Sequence, residues 1–553
     1  MWPDPGARVL ALNPEDQVLY EWFLAYDSRV LAGDFGLVSD RLNAPDGVNL
    51  MANTSVVALG FLLAPVTVAL GAPVTFAVLA LASLAGTAAA WYLLLARTLR
   101  LHRGAALVGG ALCGFAPGMV SQNNSHLHMT VQFLVPVIVC LVIRMARAAE
   151  AGRGHGRRLY GSALGLAAAI TVQVFIGEEV LFLTALSLAV FTLAYAAARP
   201  RYAWRVAPRF AAALLLAAVV SGAALAYPLW LQFAGPQGVA NGVFSPHHFS
   251  ADLASFVAIS PQSIGGRPEA AALAPGVAEH NTFFGWLLLL AAGTATVCLL
   301  RRPVVRAATV TSLVMAGLAL GPEIRLAGES TGWTGPYHLL LGLPLVDGAL
   351  PTRFALALVP LLALVLALAV DRALASPQRT VRVCIPVAVV AALLPISPRP
   401  MVTASRQPLP EFITAGHWRQ CAPPGSTLVP VPLPTPPKPW SMRWAAAAGA
   451  AFALPEGFFI GPYGENGTGA MGVYSQPTSN LLTKVAETGE TPPIGDEERA
   501  QARRDVAHWR ASCVVLTDDA PHAVQLRVTL EALFGPGQRV TDVWTWRVDG
   551  AGG

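Results

Sequence analysis

Long apolar runs alternate with short polar segments through most of the chain, and this pattern predicts membrane-spanning helices. A helix needs roughly 17 to 25 residues to cross the hydrocarbon core of a bilayer. The apolar stretch 160–197 is interrupted only by Gly177, Glu178 and Glu179, and as one helix it would be about 57 Å long. We therefore expect a hairpin that turns at Gly177. The other predicted crossings are 74–96, 104–121, 129–146, 210–230, 283–300, 307–321, 353–371 and 383–397.

Arginine blocks give an independent test of these ten crossings. Each block is separated from the next by two crossings, and arginine is enriched in the cytoplasmic loops of membrane proteins. All the blocks are therefore predicted to be cytoplasmic, with both ends of the chain outside. The blocks are 97–103, 144–158, 199–209, 301–306 and 372–382.

The apolar segment 54–71 does not fit this alternation, because a crossing there would leave no charged loop before the next run. We expect an interfacial or re-entrant helix instead. Residues 1–53 then lie outside, with nothing before them to carry them across. Either a first transmembrane helix is missing from this sequence, or segment 54–71 crosses and the N-terminus is cytoplasmic.

The composition supports the membrane assignment. Hydrophobic residues make up 54% of the 553 residues and charged residues 12%, with a mean hydropathy of +0.53, whereas soluble domains carry about 25% charged residues. The net charge of +5 comes almost entirely from arginine. Because these arginines are distributed among the loop blocks and not gathered on one face, nucleic acid is not the expected partner.

A change in composition after Pro398 predicts a separate extramembrane domain. Segments 426–433 and 513–517 have the β-branched character of buried strands, and 496–510 and 522–535 have helical spacing. With a last strand in "VTDVWTWRV", this order indicates a small α/β domain on the outer side. The predicted division is an outer loop with juxtamembrane helices, 1–72, a transmembrane domain, 73–398, and an extracytoplasmic α/β domain, 399–553.

Two cysteines of this domain are predicted to form a disulfide. Cys421 lies before the first predicted strand and Cys513 at the start of another, in a compartment expected to be oxidising. Neighbouring parallel strands bring such positions within the roughly 4.4 to 6.8 Å Cα separation that a disulfide requires.

The stretch "NPEDQVLYEWF" places two acids at the start of a short aromatic helix. With helical spacing, Asp16 and Asp27 lie on the same face as Tyr20. A carboxylate presented to a cleft is suited to act as a general base. The alternative is that Glu15 and Asp16 are first-turn acids that complement the helix dipole after Pro14.

Two histidines of the loop "SQNNSHLHMT" are candidate substrate ligands. His126 and His128 are spaced i, i+2, whereas two metal-binding histidines on a helix favour i, i+4. Hydrogen bonding to a phosphate or to a sugar hydroxyl suits them better than metal binding. Ordinary polar loop residues are an equally open interpretation.

Four further residues stand at the outer ends of predicted crossings. Glu178 and Glu179 begin the returning helix of the hairpin, where acids either suit the helix start or mark a functional site at membrane depth. His280 lies in "AEHNTFFGW" just before a crossing. Arg353, in "DGALPTRFA", either binds a phosphate or extends its side chain to the interface.

Several of these segments resemble the GT-C superfamily of bacterial integral-membrane glycosyltransferases. "NPEDQVLYEWFLAYDSRVLAGD" and "SDRLNAPDGVNLMANTS", followed by an apolar helix, are similar to the first outer loop of those enzymes. "SHLHMTVQFLVPVIV", "HNTFFGWLLLL" and "LPTRFALALVPLLAL" resemble their loop-to-helix junctions. The resemblance implies a polytopic α-helical fold of about ten crossings with an extracytoplasmic domain, and it places the family's catalytic acid at Asp16, with Glu15 as the rival.

The resemblance also implies an activity, the transfer of a sugar from a polyprenyl-phosphate donor to an acceptor hydroxyl at the outer face of the cell membrane. The expected partners are the lipid-linked sugar, membrane lipid, and a glycan or other hydroxyl acceptor. No cofactor is firmly implied; histidines where relatives carry acids leave a divalent metal possible. A transporter or flippase of a lipid-linked glycan is the alternative. The expected substrate-binding residues are Asp27, His126, His128, Glu178, Glu179, His280 and Arg353.

Overall fold

The structure is a computed structural model that describes residues 1–239, 242–343, 346 and 348–548. The chain forms two compact units. The first unit contains Met1–Ala77, Tyr227–Val243 and Thr403–Gly553, and the second contains Val78–Ala226 and Phe244–Val402. The domain limits at 72 and 398 stay a prediction.

The C-terminal part of the first unit is an α/β domain, as the sequence predicts. Its four-stranded sheet has the order Gln538–Val540, Val543–Arg547, Ala511–Thr517 and Thr427–Val431. The last two strands are parallel, and the other pairs are antiparallel. A buried core that includes Leu482, Leu526 and Trp546 joins the sheet to three helices. These helices are Pro477–Thr488, Asp496–His508 and Ala523–Phe534.

The N-terminal part of the first unit begins with the strand Arg8–Leu10, which pairs antiparallel with Thr403–Ser405. The aromatic helix Pro14–Asp27 follows, with proline and two acids in its first turn, and it is buried continuously from Gln17 to Asp27. It packs against the helix Met442–Ala447. The predicted helix is therefore present, but it has no solvent-exposed face beyond its first turn.

Segment 54–71 contains two short helices, Val57–Leu62 and Ala64–Leu70. At 1.5 Å per residue each is about 10 Å long, too short to cross a bilayer core of about 30 Å. Leu62, Val68 and Leu70 are exposed on them. This agrees with a segment that does not cross.

The remaining described elements of the first unit are small. The strands Val38–Ser39 and Val48–Asn49 form one hairpin, and Ile460–Tyr463 and Thr468–Met471 form another. The side chain of Asn53 both donates to the carbonyl and accepts from the N–H of Ile460, at 2.8 and 2.7 Å. A short helix, Glu411–Thr414, follows the Thr403–Ser405 strand.

Each of the ten predicted crossings coincides with a helix. Three of them are broken near their ends. In one, the short helix Leu127–Thr130 precedes Leu134–Ala151. Pro117 starts the short helix Pro117–Gln122 after Arg103–Phe115, and the 3-10 turn Pro351–Ala357 precedes Leu358–Leu374. The other helices are Ala72–Leu93, Leu134–Ala151, Gly156–Val174, Glu178–Ala198, Pro200–Ala234, Trp286–Leu299, Pro303–Ala319 and Arg379–Leu393, with Leu127–Thr130 as a further short helix.

Seven helical segments of the described chain are long and apolar enough to cross a membrane. Two shorter apolar helices, Trp286–Leu299 and Pro303–Ala319, accompany them. The helix Gly156–Val174 provides the tenth predicted crossing. The chain is therefore a polytopic α-helical membrane protein with a C-terminal sheet-containing domain, as predicted. The seven segments are Ala72–Thr98, Arg103–Gln122, Leu127–Ala151, Glu178–Ala198, Pro200–Ala234, Pro351–Leu374 and Arg379–Ile396.

The hairpin at Gly177 has a steric cause. The helix Gly156–Val174 ends just before Gly177, and Glu178–Ala198 begins just after it. A Cβ atom on Gly177 would collide with the carbonyl oxygen of His128. Only glycine fits this close approach of two backbones, which brings the start of the returning helix against the loop that carries the two histidines.

Candidate functional site

A buried ionic cluster lies at the loop-to-helix junctions of the second unit. Arg353, in the 3-10 turn before Leu358–Leu374, is only 7% exposed. Its Nη1 donates to Oε2 of Glu179 at 2.5 Å, and its Nη2 donates to Oε1 of Glu279 at 2.5 Å. Its Nε also donates to Oε1 of Glu279, at 3.0 Å. One guanidinium therefore joins two carboxylates from distant parts of the sequence.

Amide and imidazole side chains complete this cluster. Gln122 Nε2 donates to Oε2 of Glu279 at 2.9 Å and to Oδ1 of Asn281 at 3.0 Å. Asn281 Nδ2 donates to the same carboxylate oxygen at 2.7 Å. His126 Nδ1 lies 2.6 Å from Oε1 of Gln122 and 3.8 Å from Oε1 of Glu279. These residues are called the Arg353 cluster below: Gln122, His126, Glu179, Glu279, Asn281 and Arg353.

The charges of the Arg353 cluster determine what Arg353 can do. Burial raises the pKa of Glu279, but the charge and hydrogen bonds of Arg353, together with His126 and the hydrogen bond from Asn281, outweigh burial and hold that pKa below its ordinary value. Glu179 also accepts from the backbone N–H of Leu350, at 3.2 Å. Each of the three guanidinium nitrogens of Arg353 donates to a carboxylate. Arg353 is thus held between two carboxylates, and its predicted role as a phosphate ligand stays a prediction.

The other predicted residues of the second unit lie near this cluster but do not belong to it. The ring of His128 is buried, 5.7 Å from that of His126, and Glu178 is half-buried beside Glu179. His280 is 2% exposed, and its Nδ1 lies 2.8 Å from Oγ of Ser260. Burial lowers the pKa of His280 to about 4 against the opposing effect of Glu279. Burial therefore favours the neutral form of the His280 ring.

An elongated apolar cavity of about 500 Å³ lies among the helices of the second unit. One end is lined by Gln132 and Val180, and Val180 follows Glu179 directly. The other end is lined by Arg147 and Tyr195, so the lining extends about 22 Å along these helices. Most of the wall is hydrophobic, and it includes Trp91, Val135, Leu183, Thr184, Phe191 and Leu361. This space is called the membrane cavity below.

In the first unit, the two predicted aspartates have different environments. Asp16 is half-buried at the start of Pro14–Asp27, and its Oδ2 accepts from Nδ2 of Asn13 at 2.7 Å. Asp27 is fully buried, and neither carboxylate oxygen has a hydrogen-bond partner among the described residues. Its side chain packs directly against Gly60. Burial raises the pKa of Asp27 well above its ordinary value.

The same helix carries an ion pair that the sequence did not reveal. Arg406 Nη1 donates to both carboxylate oxygens of Glu21 at 2.9 Å, and Gln17 Nε2 donates to Oε1 of Glu21 at 2.8 Å. Glu21 is buried. Gln122 and Glu279 were also missed as site residues, since nothing local marks which polar residue of a loop becomes buried against a distant charge.

Within the described ranges, no group of three or more His, Cys, Asp or Glu side chains is arranged to hold a metal ion. The structure contains the Cys421–Cys513 disulfide that the sequence predicts, with Cα atoms 5.5 Å apart. The strands that follow Cys421 and contain Cys513 are parallel neighbours.

With this fold and geometry, the chain is similar to solved membrane glycosyltransferases. It matches the mycobacterial arabinofuranosyltransferase AftD over 96% of its own length with a TM-score of 0.50 and 15% identity, while it spans only 39% of the AftD chain. It matches ArnT from Cupriavidus metallidurans at 0.45 and the oligosaccharyltransferase AglB from Archaeoglobus fulgidus at 0.43, with 10% and 11% identity. These two matches cover 98% and 95% of this chain, and 94% and 68% of those chains.

The chain therefore shares its fold with the part of AftD that it spans, in agreement with the membrane fold that the sequence resemblance predicts. This conclusion rests on the match to AftD. No family model and no curated protein sequence matches the chain.

Proposed function

We propose that this chain is a membrane glycosyltransferase that moves a sugar from a polyprenyl-phosphate donor to an acceptor hydroxyl. The observation that carries the proposal is the membrane cavity, an elongated apolar space that begins beside the Arg353 cluster in a chain that shares its fold with part of AftD. An apolar space that begins beside a charged cluster is suited to a substrate made of a hydrocarbon chain and a polar head.

The isoprenoid chain of the donor is proposed to occupy the membrane cavity. Each buried CH₂ group contributes about 0.8 kcal/mol through the hydrophobic effect. Ser187 is a polar group in the hydrophobic part of the wall, and its Oγ donates to the carbonyl of Leu183 at 2.7 Å. The cavity wall is therefore largely apolar where the isoprenoid chain would lie.

The sugar phosphate is proposed to lie near His126, His128 and Glu178, beside the same end of the membrane cavity. Arg353 is proposed to position Glu179 and Glu279, and these carboxylates to accept hydrogen bonds from sugar hydroxyls. Asp27 has no exposed surface to offer a substrate. The burial of Asp27 therefore does not support the prediction that it binds the substrate.

Asp16 is proposed as the general base, with Glu15 as the rival. Both side chains are half-buried, so both keep some access to solvent. In the proposed reaction the acceptor hydroxyl gives its proton to the carboxylate, and its oxygen forms a bond to C1 of the sugar. The bond between C1 and the phosphate oxygen breaks, and polyprenyl phosphate leaves with the electron pair.

The sheet-containing domain is proposed to be extracytoplasmic. Disulfides persist in oxidising compartments outside the cytosol, and Cys421 and Cys513 are joined in this domain. The arginine blocks support the same sidedness through the positive-inside rule.

The test is the reaction of the purified full chain with a radiolabelled polyprenyl-phosphate sugar and a candidate glycan acceptor. The expected result is labelled glycan and free polyprenyl phosphate in equal amounts. Movement of intact donor across a vesicle membrane without loss of its sugar would overturn the proposal and favour a flippase. Donors with different sugars define the specificity in the same assay.

A further inference from the structure

A second cavity in the second unit lies away from the Arg353 cluster and shares no lining residue with the membrane cavity. It is a groove of about 670 Å³ lined by Tyr92, Leu93, Ala96, Arg97, Leu101, His102 and Arg103. These residues are called the basic groove below. They connect the end of the Ala72–Leu93 helix to the start of Arg103–Phe115.

The backbone of the basic groove is unusual and well anchored. A π-helical turn, Leu94–Thr98, ends the first helix, and the N–H of Leu99 donates to the carbonyl of Leu94 at 3.0 Å. Arg100 has a φ of +59°, a left-handed conformation that is uncommon for a residue other than glycine. Both features concentrate at functional sites in proteins.

Hydrogen bonds fix the connection between the two helices. The N–H of His102 donates to Oδ1 of Asp371 at 2.7 Å, and Nδ1 of His102 accepts from the N–H of Gly104 at 3.1 Å. Arg147 Nη2 donates to the carbonyl of Thr98 at 3.1 Å. The groove is thus held in place by bonds that leave Arg97 and Arg103 uninvolved.

Two cations of the basic groove lack an acidic partner. Arg97 and Arg103 are exposed, and neither guanidinium forms an ion pair or a hydrogen bond within the part of the chain that the structure describes. Arg103 also begins a helix of 13 residues, whose N-terminal dipole attracts an anion. Guanidinium groups favour phosphate oxygens because their N–H groups match phosphate geometry.

The remaining wall of the groove is suited to hydrocarbon. Leu93 is exposed, and Leu101 and the ring of Tyr92 are partly exposed in the same groove. A free phosphate would bind the arginines but leave these side chains uncovered. A phospholipid would meet both requirements, since basic pockets at the ends of transmembrane helices bind anionic headgroups.

We propose that the basic groove binds the headgroup of an anionic phospholipid, with the acyl chains against Leu93 and Tyr92. The phosphate is held between Arg97 and Arg103. This site is independent of the proposed sugar transfer, because no residue of the Arg353 cluster or of the membrane cavity belongs to it.

The experiment is native mass spectrometry of the full chain released from nanodiscs that contain equal amounts of phosphatidylglycerol and phosphatidylcholine. Wild type is expected to retain phosphatidylglycerol preferentially. Each arginine near a lipid headgroup contributes about 5-fold to affinity, so Arg97→Gln/Arg103→Gln should weaken retention about 30-fold. Arg97→Lys/Arg103→Lys should keep most of it, because the charges remain.

The matched control is Arg379→Gln/Arg382→Gln, which removes two exposed arginines from another predicted cytoplasmic block, outside the groove. It should retain phosphatidylglycerol like wild type. Equal loss in the control would overturn the proposal in favour of a general surface charge. Unchanged retention in the groove variant would overturn it directly, and so would complete displacement of the lipid by inorganic phosphate.

Discussion

Asp16 and Asp27 share a helix but differ in what they can contact. Asp16 is half-buried and accepts a hydrogen bond from Asn13, whereas Asp27 is fully buried against Gly60. Helical spacing predicts one face for both, but the packing of the Pro14–Asp27 helix on all sides decides which of them a substrate can reach.

Asp16→Asn keeps the size of the side chain and removes the proposed base. Sugar transfer from the polyprenyl-phosphate donor should fall by roughly 10²-fold or more, with unchanged melting temperature and elution in size-exclusion chromatography. Glu15→Gln should have a much smaller effect. If Asp16→Asn keeps the wild-type rate of sugar transfer while Glu15→Gln or Asp27→Asn abolishes it, the base is the residue whose substitution abolishes transfer.

Asp27→Asn should stabilise the protein at neutral and alkaline pH. Burial raises the pKa of Asp27 in the folded state above the unfolded value. A carboxyl group whose pKa is higher in the folded state than in the unfolded state stabilises the fold below its unfolded-state pKa. This stabilisation is lost as the pH rises toward its folded-state pKa. The variant avoids this loss, so its melting temperature should exceed that of wild type more at pH 8 than at pH 5.

The control for this substitution is Asp46→Asn, at an exposed aspartate of the same unit. It should leave the melting temperature unchanged at both pH values. A lower melting temperature of Asp27→Asn at pH 8 would mean that the charged carboxylate is stabilised and would contradict the interpretation.

Arg353 connects helices and loops of the second unit that are far apart in the sequence. The guanidinium joins the first turn of Glu178–Ala198, the loop before Trp286–Leu299 and the turn before Leu358–Leu374. Arg353→Met leaves the buried carboxylate of Glu279 and the partly buried carboxylate of Glu179 without their cation. Breaking a buried ion pair in this way costs about 3–5 kcal/mol. The folded fraction in detergent, measured by fluorescence-detected size exclusion, should fall strongly.

The double substitution Arg353→Met/Glu279→Gln should recover part of the folded fraction, because the buried charge of Glu279 is removed with the cation. Arg301→Gln, at an exposed arginine, should behave as wild type. Normal folding of Arg353→Met would show that the ion pair does not hold these elements together.

The membrane cavity makes a prediction about the helix Glu178–Ala198. Thr184 lines the cavity, whereas Leu193 on the same helix is 71% exposed and lies outside the lining. Thr184→Trp fills space that the donor chain is proposed to occupy, so KM for the lipid donor should rise about 10-fold or more with little change in kcat. Leu193→Trp should leave both unchanged, and equal effects of the two would place the donor elsewhere.

The α/β domain contains the only disulfide that the described residues form. It joins Cys421 and Cys513, which are 92 positions apart in the sequence. Closing a loop of about 100 residues stabilises a fold by about 4–5 kcal/mol in the chain-entropy model. Cys421→Ser/Cys513→Ser should therefore make the C-terminal domain much more sensitive to limited proteolysis, with the transmembrane helices still protected.

The matched control is Cys298→Ser/Cys384→Ser, at two exposed free cysteines. This variant should be digested at the wild-type rate. If removal of Cys421 and Cys513 leaves the digestion rate of the domain unchanged, the disulfide contributes nothing to its stability.

Local sequence was sufficient for the predicted crossing helices and for two strands of the α/β domain. The apolar runs, the glycine at 177 and the β-branched segments act through hydropathy, sterics and hydrogen bonding of near neighbours, so each predicted crossing became a helix and 427–431 and 511–517 became strands. Pro117 also explains a break that hydropathy alone did not predict, because proline begins a new helix there.

Tertiary structure alone decided the environments of the charged residues. Arg353 meets Glu279, 74 positions away, and Glu21 meets Arg406, 385 positions away. Whether an acid is a solvated base, an ion-pair partner or a buried neutral group depends on desolvation and on nearby charges. Those quantities belong to the assembled helices, which is why Asp16, Glu279 and Asp27 look alike in the sequence and differ in the fold.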